Sequence, residues 1–516
     1  VAGLALSGAG AITGFGIVKA NETGNGKLDA SGGTLDLSAD SIGFLTSTTL
    51  ASGDTLEADT AATLKLSNNK TITVDSGIIT LSGTNSVIES LNTGTSTEIV
   101  IDTTLDDVTA GGAFNILAGR NFTATANAGS FTNAGKISLG GGTFTSTRLT
   151  EATGALLSGF GTVAGPISNA GTITASGGTL ALTGALSGAG TLSAAAGATL
   201  KLSLGGPFSE PVTGAGTLEL SGTTAYTLAG TLAVGTVKID AGSSLSGSGT
   251  IQGNLADAGV VTASTGTLGI GGTVTGAGTL SAAAGAVLDL KGGGSFTGAL
   301  TGAGKIQIDS ALTLNAGSSL SATSVLDNAN VTLGSGAAIT NAAAHTYTIA
   351  AAANTTITVG GAGTFTNDGT LAATGAGTVD IDTTFINAAS VSVGSGKMDF
   401  LSAVSGSGTV GIASGATAEF DAGAAATQNL SFLASAGELS LASPASFLGT
   451  IIGFSGADKI DLLNTAATKL TYAGNKLTVL NGTTTVATLT FSGAYTTNNF
   501  VLGSDNSVGS LITWQS

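Results

Sequence analysis

Residues 157–216 recur, at better than half identity, as residues 245–304. Leu157 matches Leu245, 88 residues further on, and Phe208 and Phe296 keep the same offset. A short phrase returns inside the span: Ser187-Gly188-Ala189-Gly190-Thr191-Leu192, Thr213-Gly214-Ala215-Gly216-Thr217-Leu218 and Thr275-Gly276-Ala277-Gly278-Thr279-Leu280. From Thr162 to Thr191, Thr217 and Thr250 the steps are 29, 26 and 33, so the long duplication reads as three shorter units. Self-similarity at a period of ~20–50 residues marks a solenoid, in which each unit buries its apolar face only against its neighbours. A compact enzyme domain is disfavoured.

The local signals are all strand. Thr179-Leu180-Ala181-Leu182, Thr199-Leu200-Lys201-Leu202, Thr217-Leu218-Glu219-Leu220 and Thr236-Val237-Lys238-Ile239 alternate apolar with hydroxyl or charged positions, so one face turns inward and the other to water. Gly-containing corners separate them. Capping boxes and charged i,i+4 pairs do not occur, so helices are not expected. The pattern predicts an all-β parallel solenoid of ~20–30 residues per rung and ~4.8 Å per rung. The leucines after Gly-x-Gly-Thr (Leu192, Leu218 and Leu280) are expected to form its core. Phe208 and Phe296 are expected to fill the same kind of corner, a whole number of rungs apart.

Three regions differ in texture. Residues 1–150 carry diverged repeats, such as Ser7-Gly8-Ala9-Gly10 and Phe131-Thr132-Asn133-Ala134-Gly135, with more acids. Residues 151–445 hold the regular phrases. In 446–516 the phrases stop, and Leu477–Leu480, Asn481-Gly482 and Thr483–Phe491 read as a β-hairpin on an Asn-Gly turn. A solenoid end is an open sheet edge, so 446–516 is expected to be a β cap or separate β module.

Composition narrows the function. The net charge is −16 with 15 basic residues and no basic stripe, which disfavours a nucleic-acid partner. Gly, Ser and Thr interrupt every apolar run before the ~18 residues a membrane helix needs. Cysteine is absent, in keeping with export. No charged and apolar leader follows Val1, so any targeting segment has been removed or lies elsewhere.

No catalytic residue and no cofactor is expected. His345 is the only histidine, and no strained Gly-x-Ser-x-Gly turn accompanies it, so it reads as a solvent-facing rung residue. Asp102, Asp106 and Asp107 form one acidic cluster, and Asp380 with Asp382 another. Alternation sets the latter pair on one strand face about 7 Å apart, suitable for two carboxylates or a cation. Sugar-cleaving solenoids line a cleft with aromatics and bases, yet aromatics are only 4% here. The bland reading, acids facing water, is preferred. For a metal, Ca²⁺ suits carboxylate oxygens. The repeated Gly-Gly-x-Gly-x-Asp array is missing, so Asp458 and Asp461, beside the fragment Gly456-Ala457-Asp458, are the weak candidates.

The Gly-Ala-Gly-Thr-Leu phrases are similar to the passenger repeats of autotransporter-type adhesins, which lie on a right-handed β-helix. Phe447-Leu448-Gly449-Thr450-Ile451-Ile452-Gly453-Phe454, Asp458-Lys459-Ile460-Asp461-Leu462, Ser492-Gly493-Ala494-Tyr495 and Asp505 resemble the C-terminal module of large repetitive secreted proteins of Gram-negative bacteria. The resemblance implies a long right-handed parallel β-solenoid with a distinct C-terminal β module, exported to the cell surface or medium. No translocator-barrel strands follow, so either the barrel has been cleaved off or the chain leaves by a one-step route that reads the C-terminus, and the second is preferred. The expected role is structural: a surface stalk, adhesin, filament or coat subunit. The alternative is a polysaccharide-binding or polysaccharide-cleaving β-helix, with surface or host glycans as partners. Val1-Ala2-Gly3-Leu4-Ala5-Leu6 opens a stretch of eighteen residues without charge or Pro, an unguarded edge. End-to-end homopolymerisation against the Leu477–Phe491 strands is therefore expected, and deletion of residues 1–18 should leave a monomer.

Overall fold

The computed structural model describes residues 4–6, 10–39, 42, 45–46, 48–208 and 210–516. The chain is an all-β parallel solenoid of about 22 turns. Among the described residues it has no α-helix, only four short 3-10 turns. Two compact units divide it: Val1–Leu245 with Ile251–Gly253, and Ser246–Thr250 with Asn254–Ser516.

In the first unit, Leu180, Leu200, Leu218 and Val237 stand directly above one another in parallel register. Ile173, Leu192, Val212 and Leu232 form a second column. Leu192 and Leu218 are both fully buried. They nevertheless belong to different columns, which corrects the reading of successive phrases as successive rungs. Thr191 and Thr279 begin strands, whereas Thr217 lies inside the strand Val212–Leu220 after a register shift between Gly214 and Thr217, so phrase spacing overestimates turn length.

In the second unit, one column runs Leu268, Leu288, Ile306, Val325, Tyr347, Leu371, Val391, Val410, Leu430 and Ile451. Its steps range from 18 residues (Leu288 to Ile306) to 24 (Tyr347 to Leu371). Leu280 lies between Val261 and Leu300 in another column and is fully buried, as expected. Between the neighbouring leucines, Thr, Ser and charged side chains face outward, half-buried by the turns on either side. Burying a leucine side chain contributes roughly 1.5–3 kcal/mol relative to exposure. A column of one such residue per turn therefore fixes the register strongly.

Aromatics add a core element that alternation did not indicate. Tyr347, Phe365, Phe385, Phe400, Phe420 and Phe447 follow one another with ring centroids 5.1, 5.4, 5.5, 4.9 and 5.1 Å apart. All six are buried. The first unit holds a shorter cluster of Phe114, Phe122, Phe131 and Phe144. The expected equivalence of Phe208 and Phe296 is corrected. Phe296 is fully buried, whereas Phe208 is half-buried and stacks on Tyr226 at 5.8 Å.

Parallel stacking continues through Thr450–Ile452 and Lys459–Leu462. Antiparallel pairing then begins at Lys469–Ala473 and passes through Lys476–Asn481 to Thr484–Ser492; the expected hairpin is there, but Asn481 pairs with Thr484 and the turn residues are Gly482 and Thr483, one residue on from the Asn-Gly reading. The last strand, Ser510–Trp514, pairs antiparallel with Lys459–Leu462 and covers that edge. Near the start, Leu4–Ala5 pairs with Glu22–Thr23. The edge residues Val1, Ala2 and Gly3 and the phrase members Ser7, Gly8 and Ala9 lie outside the described residues.

Candidate functional site

The chemistry-bearing side chains fall into two sets, one inside the coil and one on its outer face. The inner set starts from a corner. A strand ends on a buried Asn or Asp whose side-chain oxygen accepts the backbone N–H two residues on, an Asx turn. Gly77 donates to Asp75 at 2.9 Å, Gly135 to Asn133 at 3.0 Å, Gly171 to Asn169 at 3.0 Å and Gly259 to Asp257 at 2.9 Å. With asparagine, the remaining amide N–H reaches the neighbouring turn. In the second unit Asn341 donates to Asn367 at 2.7 Å, Asn367 to Asn387 at 2.8 Å, and Asn387 to Gln428 at 3.1 Å. Gln428 closes the ladder by donating to the Asn387 and Ser405 carbonyls. In the first unit Asn133 donates to Glu151 at 2.8 Å.

This ladder explains the first glycine of the phrases at 188–190 and 276–278. Gly276 pairs with Asp257 and has φ +111°, and a Cβ there would lie 1.9 Å from the Asp257 carbonyl oxygen. Gly188 sits over Asn169 in the same way, with φ +128° and the same 1.9 Å approach. Neither a left-handed backbone nor such a contact admits a side chain. Gly276→Ala is expected to cost about 3 kcal/mol or more, combining backbone strain with displacement of the ladder strand. Chemical denaturation compared with Ala277→Gly, on the adjacent exposed residue, measures it.

Where a carboxylic acid replaces the amide, one oxygen is left over. Asp75, Asp257, Glu151 and Glu210 each keep a buried oxygen without a hydrogen-bond partner. Burial pushes their carboxyls up, Asp75 to about 8, Glu151 and Glu210 to about 7, and Asp257 to about 6. Buried Asp327, which accepts from the Tyr347 hydroxyl at 3.0 Å, is pushed to about 7.

The outer set lies in columns. Asp380, Asp399, Glu419, Ser440 and Asp461 stand above one another on consecutive turns. Asp380 and Asp382 face outward on either side of buried Ile381, as alternation required. Asp380 belongs to this column, whereas Asp382 stands over Gly360. Lys397 reaches Asp399 at 2.9 Å and Glu419 at 2.7 Å. The same Lys-φ-Asp over Thr-φ-Glu-φ-Asp arrangement occurs in the first unit. There Lys27 reaches Asp29 at 3.0 Å and Glu57 at 2.6 Å. Asp29–Glu57–Asp59 and Asp399–Glu419–Asp421 are the acidic groups whose oxygens converge within 4.8 Å among the described residues. In both, a lysine ammonium is the cation beside the acids. Replacing Lys397 by Met is expected to lower stability by about 1 kcal/mol at low salt, and less at high salt, because the pair is partly exposed. Melting at two ionic strengths tests it.

The residues chosen for Ca²⁺ are not brought together. Asp458 is buried, and its two oxygens accept the Gly437 N–H at 3.0 Å and the Ser455 N–H at 2.9 Å, so it pins a corner. Asp461 lies on the outer column, its carboxyl pushed to about 6 by burial and by Asp505 and Glu438. Neither belongs to a converging group. Arg120 Nη2 donates to both oxygens of Asp102 at 2.9 Å. His345 is half-buried rather than solvent-facing, at a corner whose backbone bonds Ala342 and Thr370. Among the described residues no helix is long and apolar enough to cross a membrane.

No family model matches the chain, and neither a curated protein nor a solved structure does.

Proposed function

We propose that this chain is a non-enzymatic structural protein of the extracellular surface, a coat, filament or adhesin stalk subunit exported by a Gram-negative cell. One observation carries the reading: Asp458, the Asx-corner amides, Asp102, Asp399 and Glu419 are engaged in holding the coil. Asp458 and the Asx ladder bind backbone or one another, Asp102 is held by Arg120, and Asp399 and Glu419 share Lys397. The remaining outward positions are mainly hydroxyls, suited to repeated shallow contacts. Exposed Phe15 and Ile17, 73% and 67% accessible on the strand Ala11–Ile17, add apolar surface for self-association. Electron microscopy of the purified chain, alone and on the cell surface, is the test. Filaments or lattices that disappear in a Phe15→Asp, Ile17→Asp variant are expected. A chain that stays monomeric at all concentrations overturns self-assembly and leaves the isolated stalk.

A second reading, a polysaccharide-cleaving β-helix, draws on the outward pair Asp380 and Asp382. Turnover of neutral or acidic polysaccharides that is lost when both are replaced by Asn would establish it. Polysaccharide binding without turnover would place the chain among glycan-binding stalks.

A further inference from the structure

One strand of the coil is present twice, once covered and once bare. Gly14-Phe15-Gly16, followed by Ala30-Ser31-Gly32-Gly33-Thr34-Leu35, returns 145 residues further on as Gly159-Phe160-Gly161, followed by Ala175-Ser176-Gly177-Gly178-Thr179-Leu180. Both instances fold alike: Gly14 and Gly16 pair with Ala30 and Leu35, and Gly159 and Gly161 with Ala175 and Leu180. Each phenylalanine lies against the glycine pair of the next turn. The second instance, Leu156–Ala164, is also paired on its other edge by Lys136–Thr145, with Gly140 opposite Phe160. Leu157 and Val163 are fully buried there, and Phe160 is 39% accessible. Among the described residues Ala11–Ile17 is paired on one edge only. Its Ile12 and the following Val18, counterparts of Leu157 and Val163, are only half-buried, and Phe15 is 73% accessible.

The other end of the coil is closed. Its last two parallel strands, Thr450–Ile452 and Lys459–Leu462, are covered by Thr484–Ser492 and by Ser510–Trp514. Neither is free to receive Ala11–Ile17, although an unguarded edge favours pairing. A second copy of Ala11–Ile17 itself fits. The strand has two arms that meet at Phe15, since Gly14 pairs with Ala30 but Gly16 with Leu35. Alternation aims Ile12, Gly14, Gly16 and Val18 inward, and Thr13, Phe15 and Ile17 outward. Antiparallel pairing about a two-fold axis at Phe15 sets Ile12 opposite the second copy's Val18, Gly14 opposite its Gly16 and Thr13 opposite its Ile17. Inward residues then meet inward ones along the whole pair, continuing the turn-on-turn contact that covers Leu156–Ala164. No charge lies between Ala11 and Val18, so two chains of net charge −16 can meet there without like charges face to face.

We propose that two copies of this chain dimerise head to head through Ala11–Ile17, in a closed two-fold contact. The inference rests on the proposed self-association and narrows it: this end makes a dimer, and any larger assembly needs a further surface.

The chain has no cysteine, so introduced thiols report on the contact. Sedimentation of the wild-type chain should show a dimer, and the backbone amides of residues 11–18 should exchange more slowly as concentration rises. Phe15→Cys sets a thiol opposite its own copy, where facing Cα atoms ~4.5–5.5 Å apart suit a disulfide, and should give a linked dimer on mild oxidation. Thr13→Cys lies more than about 10 Å from its own copy in this register and should not link, whereas Thr13→Cys combined with Ile17→Cys should. Ile17→Lys, at an exposed position, should weaken the dimer at least about tenfold while the melting temperature of the monomer holds. A wild-type chain that stays monomeric overturns both this proposal and self-association. An assembly whose amides 11–18 stay unprotected, or in which Thr13→Cys links as readily as Phe15→Cys, overturns the two-fold contact alone and leaves self-association standing. The wild-type exchange decides the matter even where a variant fails to fold.

Discussion

Replacing Leu192 by aspartate is expected to unfold the turns around it, at a cost of several kcal/mol. The side chain is fully buried between Ile173 and Val212, where an ionised carboxylate has no partner and water cannot follow. Because each turn of a solenoid is stabilised mainly by its neighbours, the damage spreads along the axis rather than staying at one site. Thr191→Asp, one residue away on the outward side, should change stability by about 0.5 kcal/mol or less. Denaturant melts of the two variants compare them directly. Similar losses would mean that the inward and outward faces are assigned wrongly here.

Stability is expected to rise as the pH falls from 8 to 5. Asp75, Glu151, Glu210, Asp257 and Asp327 lie on or beside the inner ladder, and burial raises their carboxyls to between about 6 and about 8. In the unfolded chain these groups titrate near 4. Between those limits the folded chain binds more protons than the unfolded one, so the slope of stability against pH is negative. Each group contributes up to about 1.4 kcal/mol per pH unit where its proton count differs by one. Their favourable contribution is complete below about pH 4 and is lost as the pH rises through 6 to 8. Asp75 has apolar Leu50 and Val108 in register on the adjacent turns, so its charged form is the most costly. Asp75→Asn supplies an uncharged side chain that still accepts from Gly77. It should flatten the profile most between pH 7 and 8. Asp36, Asp240 and Asp309, whose carboxyls are held below their ordinary value, act in the opposite sense only below about pH 4. A melting temperature that climbs from pH 5 to 8 would contradict the ladder as described.

The solenoid was legible because its cause is local. Alternation places Leu180, Leu200 and Leu218 inward, and nothing but stacking on a neighbouring turn can bury so narrow an apolar face. The hairpin joining Lys476–Asn481 to Thr484–Ser492 was legible for the same reason, its turn falling one residue beyond Asn481-Gly482. Turn length was not, since like phrases place their leucines in different columns, Leu192 at a strand start and Leu218 inside the strand Val212–Leu220. The aromatic column from Tyr347 to Phe447 was hidden because its members come from different strands at unequal spacing. The Asx ladder left a signal that alternation analysis passes over: Asn-Ala-Gly, Asp-Ala-Gly and Asn-Asp-Gly closing apolar strands at 133, 169, 257 and 367. The metal expectation at Asp458 and Asp461 was drawn from carboxylate chemistry and the single fragment Gly456-Ala457-Asp458. Alternation already separates the two, with Asp458 at a buried corner and Asp461 on the outer face.

The central claim is that the polar side chains of this chain are structural members of a parallel coil. A high-resolution crystal structure of residues 330–460 in the context of the full chain tests it most directly. The account predicts Asn341, Asn367, Asn387 and Gln428 inside the coil, each amide hydrogen-bonded to the next, with Asp458 bonded to the Gly437 and Ser455 amides. Finding those four amides on the solvent face, or Asp458 turned outward beside Asp461, would contradict it.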